Sequence, residues 1–220
     1  MRKVLLLVEG STEERFAKDV IGPALEPRGL VLIPTILRTK VVPGEKAHKG
    51  GVGSYARFVR QVRLLLGDSS AVRVTTLLDF YGLRDDFPGR KTPKGTTPFE
   101  RVTHVESAMR KDVENPRYHP FLLLHEFEAL LFVAPGEIAR ATLLPQAEAK
   151  LQAIRSEFSG SPEQIDDSPV TAPSKRIEAV CGNAYQKAVH GPVIAARIGL
   201  EAIRKECPRF ASWLQMLESL

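Results

Sequence analysis

Carboxylates close three hydrophobic runs in this chain. VLLLVEG ends on Glu9, VTTLLDF on Asp79, and FLLLHEFE on Glu126 and Glu128. If the runs are neighbouring parallel strands, their C-terminal ends share one rim, where α/β sheets bind ligands. Carboxylates held a few Å apart repel one another and lose hydration. A divalent cation relieves both penalties, and hard oxygen donors of this kind suit Mg²⁺ or Mn²⁺. The candidate metal ligands are therefore Glu9, Glu13, Asp79, Glu126 and Glu128, with Glu13 included because it lies four residues after Glu9 on the first turn of the next helix.

Glu126 ranks above Glu128 on geometry. The two point the same way in extended chain, but diverge by about 200° once a helix begins. His125 reads as a ligand, a general acid/base, a phosphate contact, or a histidine bonded to a neighbouring carboxylate. HExxH zinc chemistry is excluded, because Ala129 stands where a second histidine would be needed. Ser174, Lys175 and Arg176 open a helix after Pro173, and a helix N-terminus favours anions. Lys175 is the candidate catalytic cation. The basic loops KVVPGEKAHKGGVG and GRKTPKG, with the arginines beyond the first, supply candidate phosphate contacts at Lys49, Arg57, Arg90, Lys91 and Lys94, joined by Lys175 and Arg176. Neither loop has the GxxxxGK[ST] pattern of a P-loop. Tyr185, Lys187 and His190, ahead of Gly191, read as structural, and Trp213 as core.

The elements that position these groups follow from periodicity. Residues 3–9 have the length of a fully buried strand. Ser11 then reads as a helix N-cap with Glu14 as its capping-box partner, and the helix runs to about Leu25. In GLVLIPTILRT, Pro34 assigns an edge strand. Ser54 caps a helix over YARFVRQVRLLLG. Residues 72–79 form the next strand, 99–114 a helix, and FLLLHEF a further strand, with a helix opening at Glu126. The alternation predicts an α/β fold with a mostly parallel sheet flanked by helices. Beyond residue 135, AEAKLQAIRSEF, APSKRIEAVCG, PVIAARIGLEAIRKECP and RFASWLQMLESL all read as helices. The expected organisation is a core over 1–135 and a helical C-terminal region over 136–220 packed on it.

Composition narrows the class. The chain has 220 residues, 43% hydrophobic and 26% charged, as in ordinary globular proteins. No apolar run approaches the roughly 20 residues of a membrane span. The apolar N-terminal stretch stops at Glu9 without a small-residue cleavage site, which argues against a signal peptide. Cys181 and Cys207 lack metal-site spacing and read as small core residues in a reducing cytoplasm. The net charge of +5 is compatible with a polyanionic partner.

VEGSTE at 8–13 resembles the first motif of the Toprim domain, and LLDF the strand carrying its aspartate motif. The closest resemblance is to an uncharacterised family of Toprim-like proteins related to the nuclease half of the OLD (overcoming lysogenization defect) group. GGVGSYAR at 50–57, DFYGL at 79–83, HEFEALLF at 125–132, SKR at 174–176 and WL at 213–214 carry it along most of the chain. The resemblance implies a Toprim-like core and a metal-dependent nuclease acting on DNA or RNA, in phage defence or DNA processing. Glu9 resembles the Toprim glutamate, a metal ligand or general base. Asp79 resembles the first aspartate of DxD, and Tyr81 departs from the second, which leaves Glu126, Glu128, Asp85 or Asp86 to replace it. The resemblance also implies partnership with an ABC-type ATPase. This chain has no Walker A motif, so that ATPase would be a separate polypeptide. The alternative is a non-catalytic regulatory partner of such an ATPase. A homodimer stays open.

Overall fold

Strand β1 (Arg2–Val8) is aliphatic on both faces because both faces are covered. Val4, Leu6 and Val8 enter one hydrophobic cluster, and Leu5 and Leu7 the other. The computed structural model describes residues 1–37, 52–92, 94–95, 97–158, 160–165 and 171–220. Its sheet runs β2 (Leu30–Ile36), β1, β3 (Ala71–Asp79), β4 (Tyr118–His119), with β5 (Leu122–Leu123) also paired to β3. Every pairing is parallel. This is the α/β architecture expected, and burial on both faces explains the near-continuous aliphatic strands. Pro34 sits on edge strand β2, opposite Leu6, where its missing N–H breaks no central ladder.

Of the strand expected over FLLLHEF only Leu122–Leu123 pairs with β3, and a separate short pairing, β4, precedes it. Pro120 has no N–H to donate, and side chains of β3 take over the ladder around it. Thr75 Oγ1 donates to the His119 carbonyl at 2.6 Å. Thr76 Oγ1 donates to the Phe121 carbonyl at 2.7 Å and accepts from its N–H at 2.8 Å. Trp213 Nε1 then donates to Thr75 Oγ1 at 2.9 Å while its ring stacks on Phe121. Trp213 is core, and it ties the C-terminus to the sheet.

Helices α3 (Tyr55–Leu66) and α4 (Pro98–Val113) cover the Leu5/Leu7 face through Phe58, Val62, Val102, Val105 and Met109. The other face is covered by α1 (Ser11–Phe16) and by C-terminal helices, with Phe16, Ile177, Ile194, Phe210 and Leu214 in the same cluster as β1. The first helix does not run unbroken to Leu25. A π-helical turn at Ala17–Ile21 precedes α2 (Gly22–Leu25), whose second residue, Pro23, has no N–H for the regular ladder. Its start is also one residue earlier than expected. Gly10 is the N-cap and has no side chain to close a capping box; Glu13, not Glu14, reaches back to accept from its N–H. At α3, Ser54 is the N-cap residue but its hydroxyl makes no capping bond; Asp86 Oδ2 accepts from Tyr55 N at 3.1 Å instead.

The C-terminal region holds α5 (Pro135–Ala141), α6 (Glu148–Glu157), α7 (Pro173–Cys181), α8 (Lys187–Ile198), α9 (Leu200–Glu206) and α10 (Pro208–Glu218). The segment PVIAARIGLEAIRKECP is two helices, split at Gly199, whose φ of 81° a side chain would disfavour. Helix α8 begins at Lys187 and takes in Pro192. The Ala188 carbonyl, which Pro192 cannot serve, accepts a long bond of 3.5 Å from Arg15 on α1.

Gly191 lets α8 approach α1 closely. A Cβ there would lie 3.0 Å from Thr12 Cγ2 and 3.2 Å from Phe127 Cε1. Overpacking costs about 1–3 kcal/mol, and replacing glycine in a helix returns up to ~1 kcal/mol. Gly191→Ala is therefore expected to lower stability by about 1–2 kcal/mol, read as an earlier urea midpoint at unchanged slope. An unchanged or later midpoint would show that the helices have room to separate.

Candidate functional site: an acid cluster with an internal cation

The parallel strands bring their acidic ends to one rim. Val8 pairs with Leu77 and Asp79 with Leu123, so Glu9, Asp79 and the segment after Leu123 leave the sheet side by side. Beyond the strands, Phe80 N donates to the Leu123 carbonyl at 3.0 Å and Tyr81 N to that of His125 at 3.3 Å. His125 is buried, as are Glu13, Asp79, Glu126 and Glu128, the last completely. Glu9 is half-buried, and its carboxylate faces Gly82, where a Cβ would come within 3.4 Å of Oε2.

Each carboxylate has a distinct anchor. Asp79 Oδ1 accepts from Phe127 N at 3.0 Å. Glu13 Oε2 accepts from Gly10 N at 3.0 Å, so the residue that caps α1 also faces the rim. Glu126 has extended backbone, and the following residues Phe127–Val133 form 3₁₀ turns rather than the α-helix expected there. The two glutamates consequently part company. Glu126 Oε2 accepts from Ser174 N, the second residue of α7, at 3.0 Å. Glu128 Oε1 accepts from the Tyr185 hydroxyl at 3.2 Å.

The cation in the cluster is Lys187. Its Nζ lies 2.9 Å from Glu128 Oε2 and 3.7 Å from Asp79 Oδ2. Burial pulls the ammonium's pKa down, but Asp79 and Glu128 outweigh it and hold the pKa well above its ordinary value. For Asp79, burial raises the carboxyl pKa well above the usual range, opposed by Lys187 and reinforced by Glu9, Glu13 and Glu128. Burial likewise raises Glu128, with Lys187 opposing and Glu126 adding repulsion. Burial and the Glu128 carboxylate push the Tyr185 hydroxyl upward, so it stays a neutral donor. Four acids, Glu9, Glu13, Asp79 and Glu128, thus share one electrostatic field with one lysine.

Lys187, not Lys175, is the lysine at the acids. Lys175 is exposed and donates to Glu178 Oε2 at 2.6 Å, a bond that raises its pKa. The helix N-terminus expected to receive an external anion receives Glu126 of this chain. Arg176 is committed to the Thr171 carbonyl, Glu157 and the Phe158 ring. Glu128, ranked below Glu126, is the glutamate that shares Lys187 with Asp79. Asp86 serves α3, so it does not stand in for the acid that Tyr81 replaces. Arg90 lies 4.1 Å over the ring of Phe80, the residue after Asp79; Arg57 is half-buried on α3; Lys91 and Lys94 are exposed. Lys49 lies outside the described residues.

The sequence holds no local signal for Lys187, because its partners Asp79 and Glu128 lie far away along the chain.

A family model described as a domain of unknown function, DUF4276, matches residues 8–218. The chain belongs to the DUF4276 family. No curated protein and no solved structure matches it. In this DUF4276 chain, no described helix is long and apolar enough to cross a membrane. Among the described residues, no three His, Cys, Asp or Glu side chains are placed to hold one metal ion together. As positioned, the acids are arranged around an ammonium.

Proposed function

We propose that this chain is a divalent-metal-dependent nuclease of Toprim-like type, cleaving phosphodiesters of DNA or RNA. The observation that carries the reading is the charge imbalance at the rim: four carboxylates in one field, one lysine among them. In donor type the set suits Mg²⁺ or Mn²⁺, because it is all carboxylate oxygen and its repulsion is relieved by more positive charge than one ammonium supplies, although with Lys187 in place no three of the described acids converge on one point. Glu9, Asp79 and Glu128 would hold the ion, with Glu13 beside them and Glu126 fixed behind. When bound, a divalent ion would supply a lowered water pKa and charge stabilisation at the phosphoryl group. Tyr185 orients Glu128, Phe127 N orients Asp79, and Arg90, over Phe80 beside Asp79, supplies positive charge near the strand ends for a nucleic-acid backbone, with exposed Lys91 and Lys94 following it along the chain.

Incubation of the purified protein with plasmid, single-stranded DNA and RNA in Mn²⁺ or Mg²⁺ is expected to give cleavage that EDTA stops. Intact substrates, with neither metal bound in a calorimetric titration, would sink the proposal.

A second reading has its own support: Lys187 already neutralises part of the cluster, and Tyr81 occupies the position of the second DxD acid. In that reading the chain is a non-catalytic partner of a separately encoded ABC-type ATPase. It predicts co-purification with such an ATPase and full biological function in an Asp79→Asn variant. Nuclease activity predicts loss of function in the same variant.

A further inference from the structure

A second charged site lies at the opposite end of β3. Arg73 is on that strand, Arg110 on the last turn of α4 and His119 on β4, and together they line a recess of about 260 Å³. Asp79 lies farther along the same strand, about 20 Å away at ~3.3 Å per residue. Arg110 Nη2 approaches His119 Nδ1 at 2.8 Å. A guanidinium only donates, so the nearer nitrogen, Nδ1, is assigned as acceptor and the proton to Nε2, which lies 3.4 Å from the same Nη2. Burial and the two arginines push His119 down to about 4, leaving it neutral at physiological pH.

Among the described residues neither guanidinium forms an ion pair with a carboxylate. Glu106, the half-buried acid in the field of Arg110, is already bound to Arg209 at 2.6 Å and to Leu122 N at 2.8 Å. Glu114, exposed at the C-cap of α4, is the carboxylate in the lining. Arg73 donates from Nη1 to the Pro116 carbonyl at 3.0 Å, while its buried Nε has no acceptor. A buried donor of a charged group without an acceptor is costly. Burial, reinforced by the nearby positive charge of Arg110, holds Arg73 below its ordinary pKa. Arg110 also balances the partial negative charge of the α4 C-terminus, a role that Lys111 beside it can share. No comparable arrangement accounts for Arg73.

We infer that the recess between Arg73, Arg110 and His119 binds a phosphate group. Two guanidinium forks on separate elements and one imidazole N–H match an anion with several oxygens and up to two negative charges. The group can belong to free phosphate or a phosphomonoester, or to a nucleic-acid backbone. The inference does not depend on nuclease activity, and no residue of the acid cluster takes part.

Binding is tested by calorimetry in EDTA with three probes: inorganic phosphate, AMP, and a single-stranded 12-mer without terminal phosphates. Arg110→Gln is the primary variant, because Arg110 is exposed and its replacement leaves the core intact. Arg73→Gln is the second, checked for folding by circular dichroism. The wild type is expected to bind at least one probe saturably, and Arg110→Gln to weaken that binding about 10- to 100-fold, as loss of a charge-assisted contact implies. Loss with phosphate and AMP identifies a small phosphate ligand. Loss confined to the 12-mer identifies the backbone of nucleic acid. Absence of saturable binding to all three probes, or equal binding by wild type and both folded variants, overturns the inference.

Discussion

Asp79→Asn is expected to abolish nucleic-acid cleavage while making the metal-free protein more stable. Activity should fall at least ~10²–10³-fold, the scale of losing a charged group from a preorganised electrostatic site. Stability should move the other way. Burial is the main reason that the Asp79 carboxyl pKa is raised in the folded state; Lys187 opposes it, and Glu9, Glu13 and Glu128 add repulsion. A carboxyl with a raised folded pKa binds more protons folded than unfolded. Stability therefore falls as pH rises from about 4, the unfolded value, to the folded one, and the loss remains at neutral pH. Asparagine keeps an oxygen for Phe127 N but has no charge to lose. The gain is the free energy by which folding raised that pKa, and Glu128 still holds Lys187 at its shorter contact. Thermal unfolding in EDTA should thus show a wild-type midpoint that declines from mildly acidic toward neutral pH, and a flatter, higher curve for the variant. A less stable Asp79→Asn protein at pH 7 would mean that the ion pair with Lys187 outweighs the repulsion. Retained cleavage would remove Asp79 from the active site.

What could be read in advance follows from where the chain's constraints are local. Strands β1 and β3 are legible because both faces of each are buried, leaving aliphatic runs that nothing else explains. The rim is legible for a related reason: parallel strands must end together, so Glu9, Asp79 and the HEFE acids converge whatever the connecting loops do. The strand expected over FLLLHEF is misplaced because pairing to β3 already begins at Tyr118 and its ladder passes through the hydroxyls of Thr75 and Thr76, residues far away in sequence, to get around Pro120. The cap of α1 is misplaced by one residue because Gly10 has no side chain to advertise it, and Glu13 supplies the bond. The choice between Glu126 and Glu128 hinges on a backbone that stays extended at one residue and turns at the next. Lys187 is hidden by distance. Its partners lie on β3 and after β5, and only the packing of α8 on α1, permitted by Gly191, brings it to them.

Lys187→Met tests whether that lysine is what makes the metal-free cluster tolerable. Among the described residues, Lys187 is the cation ion-paired with Asp79 and Glu128. Removing one partner of a buried pair costs about 3–5 kcal/mol because the remaining charge is left without compensation. The Lys187 side chain is 41% exposed, while Glu128 is wholly buried. Solvent at the lysine end screens part of the attraction, so the expected loss is about 2–3 kcal/mol. For a chain of this size that lowers the thermal midpoint in EDTA by about 5–10 °C. Methionine preserves most of the aliphatic stem, so the loss reports charge rather than packing. Two additions then separate the causes. Lys187→Met with Glu128→Gln should regain most of the stability, because the buried charge that needed the lysine is gone. Millimolar Mn²⁺ should raise the midpoint of Lys187→Met more than that of the wild type, since only in the variant does the ion meet acids with no ammonium to displace. A midpoint unchanged in EDTA would show that the acids are neutralised without Lys187. A midpoint that falls, recovers with Glu128→Gln and does not respond to Mn²⁺ would assign the cluster to folding rather than to a metal.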